Sequence, residues 1–324
     1  MIPRMFVLAV TALCGVLNAG MSAQAQSYPT RPIKMIVPFP PGGPIGTTAR
    51  LVAEQISARL GQPVVVEDRP GAGATIGMAA AAAAESDGYT LLFGSSGSLA
   101  VSPALYPNIK YDPVKSFAPV AMVSIGALLF VVNPALPAAT VQDYVAYAKA
   151  NPGKLNYGAG LGTPPHVGWG LLKTMVGTDL VFIPYKGAAP AITDLLANQT
   201  QLIIDAPGSL LPHVEAGKLR ALAVTTPQRV SYLPDVPTMV ESGYPDFVMT
   251  FWNGVLVPAG TPQAIVSRLN GVINESLQSP ELRASLAKFR VEPKPGSPDD
   301  FGKFVAAEVQ KWGGVIKAAG IKVD

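Results

Sequence analysis

The stretch Val37-Pro38-Phe39-Pro40-Pro41-Gly42-Gly43-Pro44-Ile45-Gly46-Thr47-Thr48-Ala49-Arg50 leads an apolar strand through a proline and glycine turn into a helix. This is the local architecture of an anion cradle, because free N–H groups and the positive end of the helix dipole face the turn. Phe39, Pro41, Gly42, Gly43 and Pro44 are therefore the first candidates for ligand contact.

Outward from this turn, short apolar strands alternate with helical patterns, the signature of α/β units with mainly parallel sheets. Lys34 to Phe39 read as a strand, and Ala49, Val52, Ala53, Ile56 and Leu60 share one helical face that Gly61 ends. Val64 to Val66 and Leu91 to Phe93 are further strands; Met78 to Glu85 is a helix carrying six consecutive alanines. Two long apolar segments, Val120 to Val132 and Phe247 to Val257, look like crossings between domains. Between them lie strands near Leu155 to Gly158, Phe182 to Pro184, Leu202 to Asp205 and Leu222 to Thr225, and helices near His166 to Val176 and Ala189 to Ala197. Three amphipathic helical patterns follow Pro262. Residues 27–126 plus 251–324 are expected to form one lobe and residues 127–250 the other, with a ligand cleft between them.

At 324 residues and 49% hydrophobic content the chain can bury a large core. The first 25 residues read as a signal peptide: Arg4, an apolar run from Met5 to Leu17, and an Ala-x-Ala site at Ala23 and Ala25. Cleavage is expected near Ala25, giving a periplasmic protein. Cys14 lies within this leader, so the mature chain has no thiol for a disulfide or thiolate metal site. Loss of Arg4 leaves 23 basic against 21 acidic residues, or +2, without any run of Lys and Arg. That excludes a basic footprint for nucleic acid.

Catalytic signatures fail on inspection. Gly153-Lys154, Gly217-Lys218 and Gly302-Lys303 are followed by Leu or Phe, not by the Ser or Thr of a nucleotide-binding loop. Gly71-Ala72-Gly73-Ala74-Thr75-Ile76-Gly77 has the spacing G-x-G-x-x-x-G, for which a tight strand-to-helix turn is the favoured reading. Gly94-Ser95-Ser96-Gly97-Ser98 approaches a nucleophile elbow with its closing glycine displaced, and only His166 and His213 could serve as base. No His/Glu cluster has metal-ligand spacing, and no cofactor is implied. Asp205, at a strand end, is either a general base or a turn cap.

The chain instead carries five small, donor-rich loops at strand ends: 41–44, 71–73, 95–98, 160–163 and 185–188. Glycine lets backbone N–H groups approach an anion closely. Thr163 followed by Pro164 reads as an N-cap and first helical residue, aiming a second helix N-terminus at the same place.

The motifs together resemble the extracytoplasmic solute receptors of the tripartite tricarboxylate transporters, the Bug family. The matching stretches run in order along nearly the whole mature chain: Tyr28 to Ile33, Val37 to Gly43, Gly61 to Gly73, Asp87 to Leu92, Leu155 to Gly158, Pro184 to Gly187, Gly217 to Ala223 and Val257 to Pro262. The resemblance implies a two-lobed Venus-flytrap protein, type II-like, that hands a small carboxylate to membrane permease subunits, acts as a monomer and performs no chemistry. Carried over by position, it implies a grip by Pro41, Gly42, Gly43, Ser95 and Ser96 from one lobe. From the other come Gly162, Thr163, His166, Tyr185 and Asp205, with Lys186 beside them. The ligand expected is a dicarboxylate, with an aromatic one among the choices. Two other functions compete: a secreted α/β hydrolase using Ser96 and His166, and a ligand-sensing lobe for a signalling receptor. One departure stands out, since the family turn commonly reads Pro-Gly-Gly-x-x-Asp and this chain has Gly46 at the Asp position. Either the missing charge admits a more anionic or broader ligand, or Thr47 or Thr48 caps the helix in its place.

Overall fold

The computed structural model describes residues 28–106 and 108–323; the leader and its cleavage site lie outside the described residues. The strands are β1 (Ile33–Val37), β2 (Val64–Asp68), β3 (Thr90–Ser95), β4 (Phe117–Ala127), β5 (Leu129–Val132), β6 (Leu155–Gly160), β7 (Leu180–Tyr185), β8 (Leu202–Asp205), β9 (Arg220–Val224), β10 (Thr250–Pro258) and β11 (Glu292–Pro293). They form two sheets, ordered β11-β4-β10-β3-β1-β2 and β7-β6-β8-β5-β9. The parallel α/β core is present in each, as β2-β1-β3 and β7-β6-β8. The strands adjoining the crossings are antiparallel: β10 to both β3 and β4, β11 to β4, and β5 to both β8 and β9. The sheets are thus mixed, because a chain that crosses to the other sheet and returns must lay one strand against the direction of its neighbours.

The helices are α1 (Pro44–Leu60), α2 (Thr75–Ala82), α3 (Ser102–Leu105), α4 (Val141–Ala150), α5 (Pro164–Leu171), α6 (Ala188–Leu196), α7 (Pro207–Glu215), α8 (Gln263–Ser276), α9 (Pro280–Lys288) and α10 (Pro298–Ala319). α1 starts on Pro44, where the missing N–H would have had no partner, and stops at Gly61, whose φ of 69° only glycine adopts without strain. Val52, Ala53, Ile56 and Leu60 form its buried face. α7 is a helix that periodicity does not reveal. Pro207 sits in its first turn, where proline is tolerated, but Pro212 lies inside the helix and reads in sequence as a breaker.

One apolar core runs through both sheets, joining Leu92 and Trp252 of the first to Tyr157 and Ile204 of the second. The C-terminal helix α10 completes it. Its Glu308 carboxylate accepts from Trp252 Nε1 at 3.1 Å and Trp312 Nε1 at 2.9 Å, so a buried charge is shared by two indole donors. A Cβ on Gly170 of α5 would lie 2.8 Å from Ile321 and 3.0 Å from Ala319. The end of α10 therefore packs closely on the second sheet's helix layer, and only glycine permits that approach.

Candidate functional site

Four strand ends, those of β1, β3, β6 and β8, each lead into the start of a helical segment. The turn after β1 has extended backbone at Gly43 and left-handed backbone at Gly42, φ 86°. Among the described residues no side chain caps the N–H groups of α1. Thr47 does not replace the missing Asp as a cap, since its hydroxyl donates backward to the Gly43 carbonyl at 3.0 Å. The first-turn donors of α1 are left for solvent or a ligand. Pro41, Gly42 and Pro44 are exposed, Gly43 is half-buried, and Phe39 is half-buried against the core behind β1.

The opposing sheet repeats the device. β6 ends in Gly160-Leu161-Gly162-Thr163, Gly162 has φ 73°, and α5 begins on Pro164 with Thr163 at the N-cap. Thr163 holds the N-cap position but not the cap bond: its hydroxyl donates to the Gly160 carbonyl at 2.6 Å, closing the turn and leaving the N–H groups of α5 uncapped. The Gly162 N–H donates to His166 Nδ1 at 3.2 Å. The His166 ring stacks on Phe182 with centroids 4.1 Å apart and planes 15° apart. Burial pushes the imidazole down to about 4, so it is neutral near pH 7, and the accepted bond at Nδ1 places its proton on Nε2. His166 therefore offers a neutral N–H donor.

β3 ends at Ser95, and Ser96 leads a wide helical turn, Gly97–Val101. Ser95 is locked into its own turn: its hydroxyl bonds with Ser98, and its N–H donates to Ser98 Oγ at 3.0 Å. Ser96 is buried, and among the described residues its hydroxyl makes no hydrogen bond to protein. At β8, Asp205 Oδ1 accepts from the Ala206 N–H at 2.7 Å, and burial pushes the carboxyl up to about 6. Turn-capping is what the geometry shows for Asp205.

Tyr185 faces elsewhere. The Tyr185 hydroxyl donates to Asp194 on α6 at 2.6 Å, on the face of the second sheet opposite the Phe182 side chain. Lys186 is exposed in the turn after β7 and has no ion pair among the described residues. Gly71 to Ala74 make a tight turn in which all four residues have positive φ.

Beyond the packing of α10 on α5, the strand-end loops of the two sheets also meet. A Cβ on Gly97 would lie 3.7 Å from Pro164, bringing the end of β3 against the start of α5. A Cβ on Gly73 would lie 2.3 Å from the Tyr106 ring, and one on Gly162 would lie 3.6 Å from the Tyr106 hydroxyl. Tyr106 bridges the two sides. Periodicity carries no signal for it, because its place is set by the second lobe. Equally hidden is the pair Arg50 and Asp68: Arg50 donates to the Gly46 carbonyl at 3.0 Å and to Asp68 Oδ2. A Cβ on Gly46 would touch that guanidinium at 3.0 Å and lie 3.8 Å from Asp68 Oδ1, which has no partner among the described residues.

Two mixed α/β sheets joined by crossing strands, with uncapped helix starts after β1 of one and β6 of the other, define a two-lobed binding protein of the periplasmic class. Residues 48–321 match the tripartite tricarboxylate transporter family receptor, TctC. The chain is 41% identical to protein BugT of Bordetella pertussis over 312 residues, covering 95% of this chain and 96% of that one. Its fold is similar to R. palustris Rpa4515 with adipate, at 37% identity and TM-score 0.78, covering 91% and 99% of the two chains. It is also similar to MatC of Rhodopseudomonas palustris with bound malate, at 31% identity and TM-score 0.75, covering 89% and 100%. The chain belongs to the TctC receptor family, also called Bug, whose members are periplasmic solute-binding receptors and not enzymes. The hydrolase reading of Ser96 and His166 is set aside accordingly. No helix among the described residues is long and apolar enough to cross a membrane.

Proposed function

We propose that this receptor captures a small dicarboxylate, with a linear or aromatic body, in the cleft between its lobes and delivers it to the permease subunits of a tripartite tricarboxylate-type transporter. The observation that carries the reading is the pair of uncapped helix N-termini, α1 from one lobe and α5 from the other, each begun by proline after a left-handed glycine. Each presents free N–H donors and partial positive charge, so a ligand with a carboxylate at both ends suits both. Relatives solved with adipate and with malate support the class.

In this reading Pro41, Gly42, Gly43 and Ser96 hold one carboxylate, and Gly162, Thr163 and the Nε2 proton of His166 hold the other. Phe39 and Pro44 wall the cleft, Lys186 lies at its rim, and Asp205 limits the negative charge the cleft accepts. Ser95 and Tyr185 act through backbone groups and by bracing. The lobes, residues 27–126 plus 251–324 and residues 127–250, close about the crossings, with contacts to both sides favouring the shut state. The mature protein begins near Gln26, after Ala25, and works as a monomer.

A thermal-shift screen with adipate, malate and terephthalate tests the reading. A cognate acid at about 100 times its Kd stabilises by about 2.7 kcal/mol and is recovered unchanged. Absence of stabilisation by any dicarboxylate, or recovery of a product, overturns it.

A further inference from the structure

The crossing strands have two flanks. One carries β3 and β1 of the first sheet and β8 and β6 of the second, which end in the cleft. On the other flank β11 borders β4, and β9 borders β5. A cavity of about 530 Å³ lies on this second flank, lined by both lobes and formed largely by residues 226–232 and 287–294. The volume falls within the range of small-molecule sites.

Its charges are arranged for an anion. Arg229 is committed elsewhere, donating twice to Glu241 and once to the Pro234 carbonyl. Arg290, Glu292 and Lys294 also line the cavity and form no ion pair among the described residues, which leaves one net positive charge there. The guanidinium of Arg290 lies 5.2 Å from the ring centre of Tyr232, a residue on the other side of the crossings. The Tyr232 hydroxyl is buried without a hydrogen-bond partner among the described residues. A buried hydroxyl is rarely left so unless something else meets it. Ile125 and Val291 add an apolar wall.

The backbone adds an independent observation. Arg290 follows α9 in the left-handed region, φ 57°, at a position where helices normally place glycine. The turn closes the helix, Arg290 N–H donating to the Ala287 carbonyl at 3.0 Å and Val291 N–H to that of Leu286 at 3.4 Å. The arginine charge suits the helix C-terminus, but glycine would close it without the left-handed strain. The Arg290 side chain also places a cation over Tyr232.

We infer that this hinge-flank cavity is a second binding site, for a small organic anion with an apolar body, held between Arg290 and Lys294 of one lobe and the Tyr232 hydroxyl of the other. The anionic head meets the two cations, Tyr232 donates to it, and the body lies on Ile125 and Val291. Because the cavity spans both lobes, its occupant contacts both sides of the hinge.

Phenyl phosphate is a suitable probe, titrated calorimetrically into the mature protein. Saturable binding is expected, weakened about tenfold or more by Arg290→Gly and by Lys294→Met, as for loss of a charge-assisted hydrogen bond. Tyr232→Phe is expected to weaken it severalfold. Arg290→Gly also relieves the left-handed backbone, so its melting temperature stays level or rises, and lost binding there is not lost folding. No saturable binding to the native protein, or unchanged affinity in both cation variants, overturns the inference. Cleft occupancy is read separately through dicarboxylates and Ser96→Ala, so failure of either reading leaves the other standing.

Discussion

The hydroxyl of Thr225 donates to the carbonyl of Met249 at 2.6 Å, joining the end of β9 to the segment that returns the chain to the first lobe. The same oxygen accepts from the Leu128 N–H at 3.0 Å, and the two backbones add Thr225 N to Leu128 O and Met249 N to Thr225 O. One fully buried threonine thus ties both crossings together. Thr225→Val keeps the shape and leaves Leu128 N–H and Met249 C=O short of a partner. A loss of about 1–3 kcal/mol is expected. Urea unfolding checks it, and a midpoint unchanged from the native protein would remove Thr225 from the hinge.

Ser96 and Thr163, both assigned to the proposed cleft, have different prospects. Among the described residues the Ser96 hydroxyl has no partner, whereas that of Thr163 is committed to Gly160. Ser96→Ala is expected to weaken dicarboxylate binding by about 0.5–3 kcal/mol. Thr163→Ser, which keeps the bond to Gly160, is expected to bind as the native protein does, and Thr163→Ala to bind more weakly because the turn loosens. Calorimetry on the three variants decides it; equal affinity in Ser96→Ala would make that serine a wall residue.

Asp205 and His166 give opposite pH slopes. Folding raises the Asp205 carboxyl from 3.8 to about 6, so the folded state holds more proton than the unfolded one in that window, and stability falls as pH rises through it. Folding lowers His166 from 6.5 to about 4, so its contribution is lost as pH falls through that window. The two largely offset one another between pH 4 and 6. Asp205→Asn is expected to gain about 1–3 kcal/mol at pH 7.5 and then lose stability steadily from pH 6.5 to 4. Thermal melts across pH check this. A variant less stable than native at pH 7.5 would show that the Asp205 charge is favourable where it sits.

In the proposed cleft the same carboxylate is expected to tune binding. Protonation of Asp205 removes a negative charge from the cleft, so dicarboxylate affinity is expected to rise as pH falls from 7.5 toward 6. In Asp205→Asn that pH dependence should be lost. Retention of the full pH dependence in the variant would assign it to another group.

Gly46 adjoins a guanidinium already shared with Asp68. A carboxylate introduced by Gly46→Asp would compete with Asp68 for Arg50 and add negative charge to the first turn of α1. Dianions are expected to lose about 1 kcal/mol or more of affinity relative to matched monoanions, a difference that added salt reduces. Equal losses for both ligand classes would make Gly46 a neutral variation in the helix start.

Much of this protein was legible in sequence because the signals are local. Pro44 and Gly61 bracket α1, and Pro164 starts α5, since proline and glycine act through their own φ and N–H. The apolar runs became β4, β5 and β10, which carry the chain between the sheets, and the donor-rich turns stand at strand ends. Where each polar side chain points was decided only by tertiary structure. Ser95 turns to Ser98, Tyr185 to Asp194, and Thr163 back to Gly160, bonds that residue type leaves open among several partners. Tyr106 between Gly73 and Gly162, and Arg290 over Tyr232, join residues tens of positions apart. Periodicity reports only which face a residue lies on; which distant residue shares that face depends on how the two sheets pack.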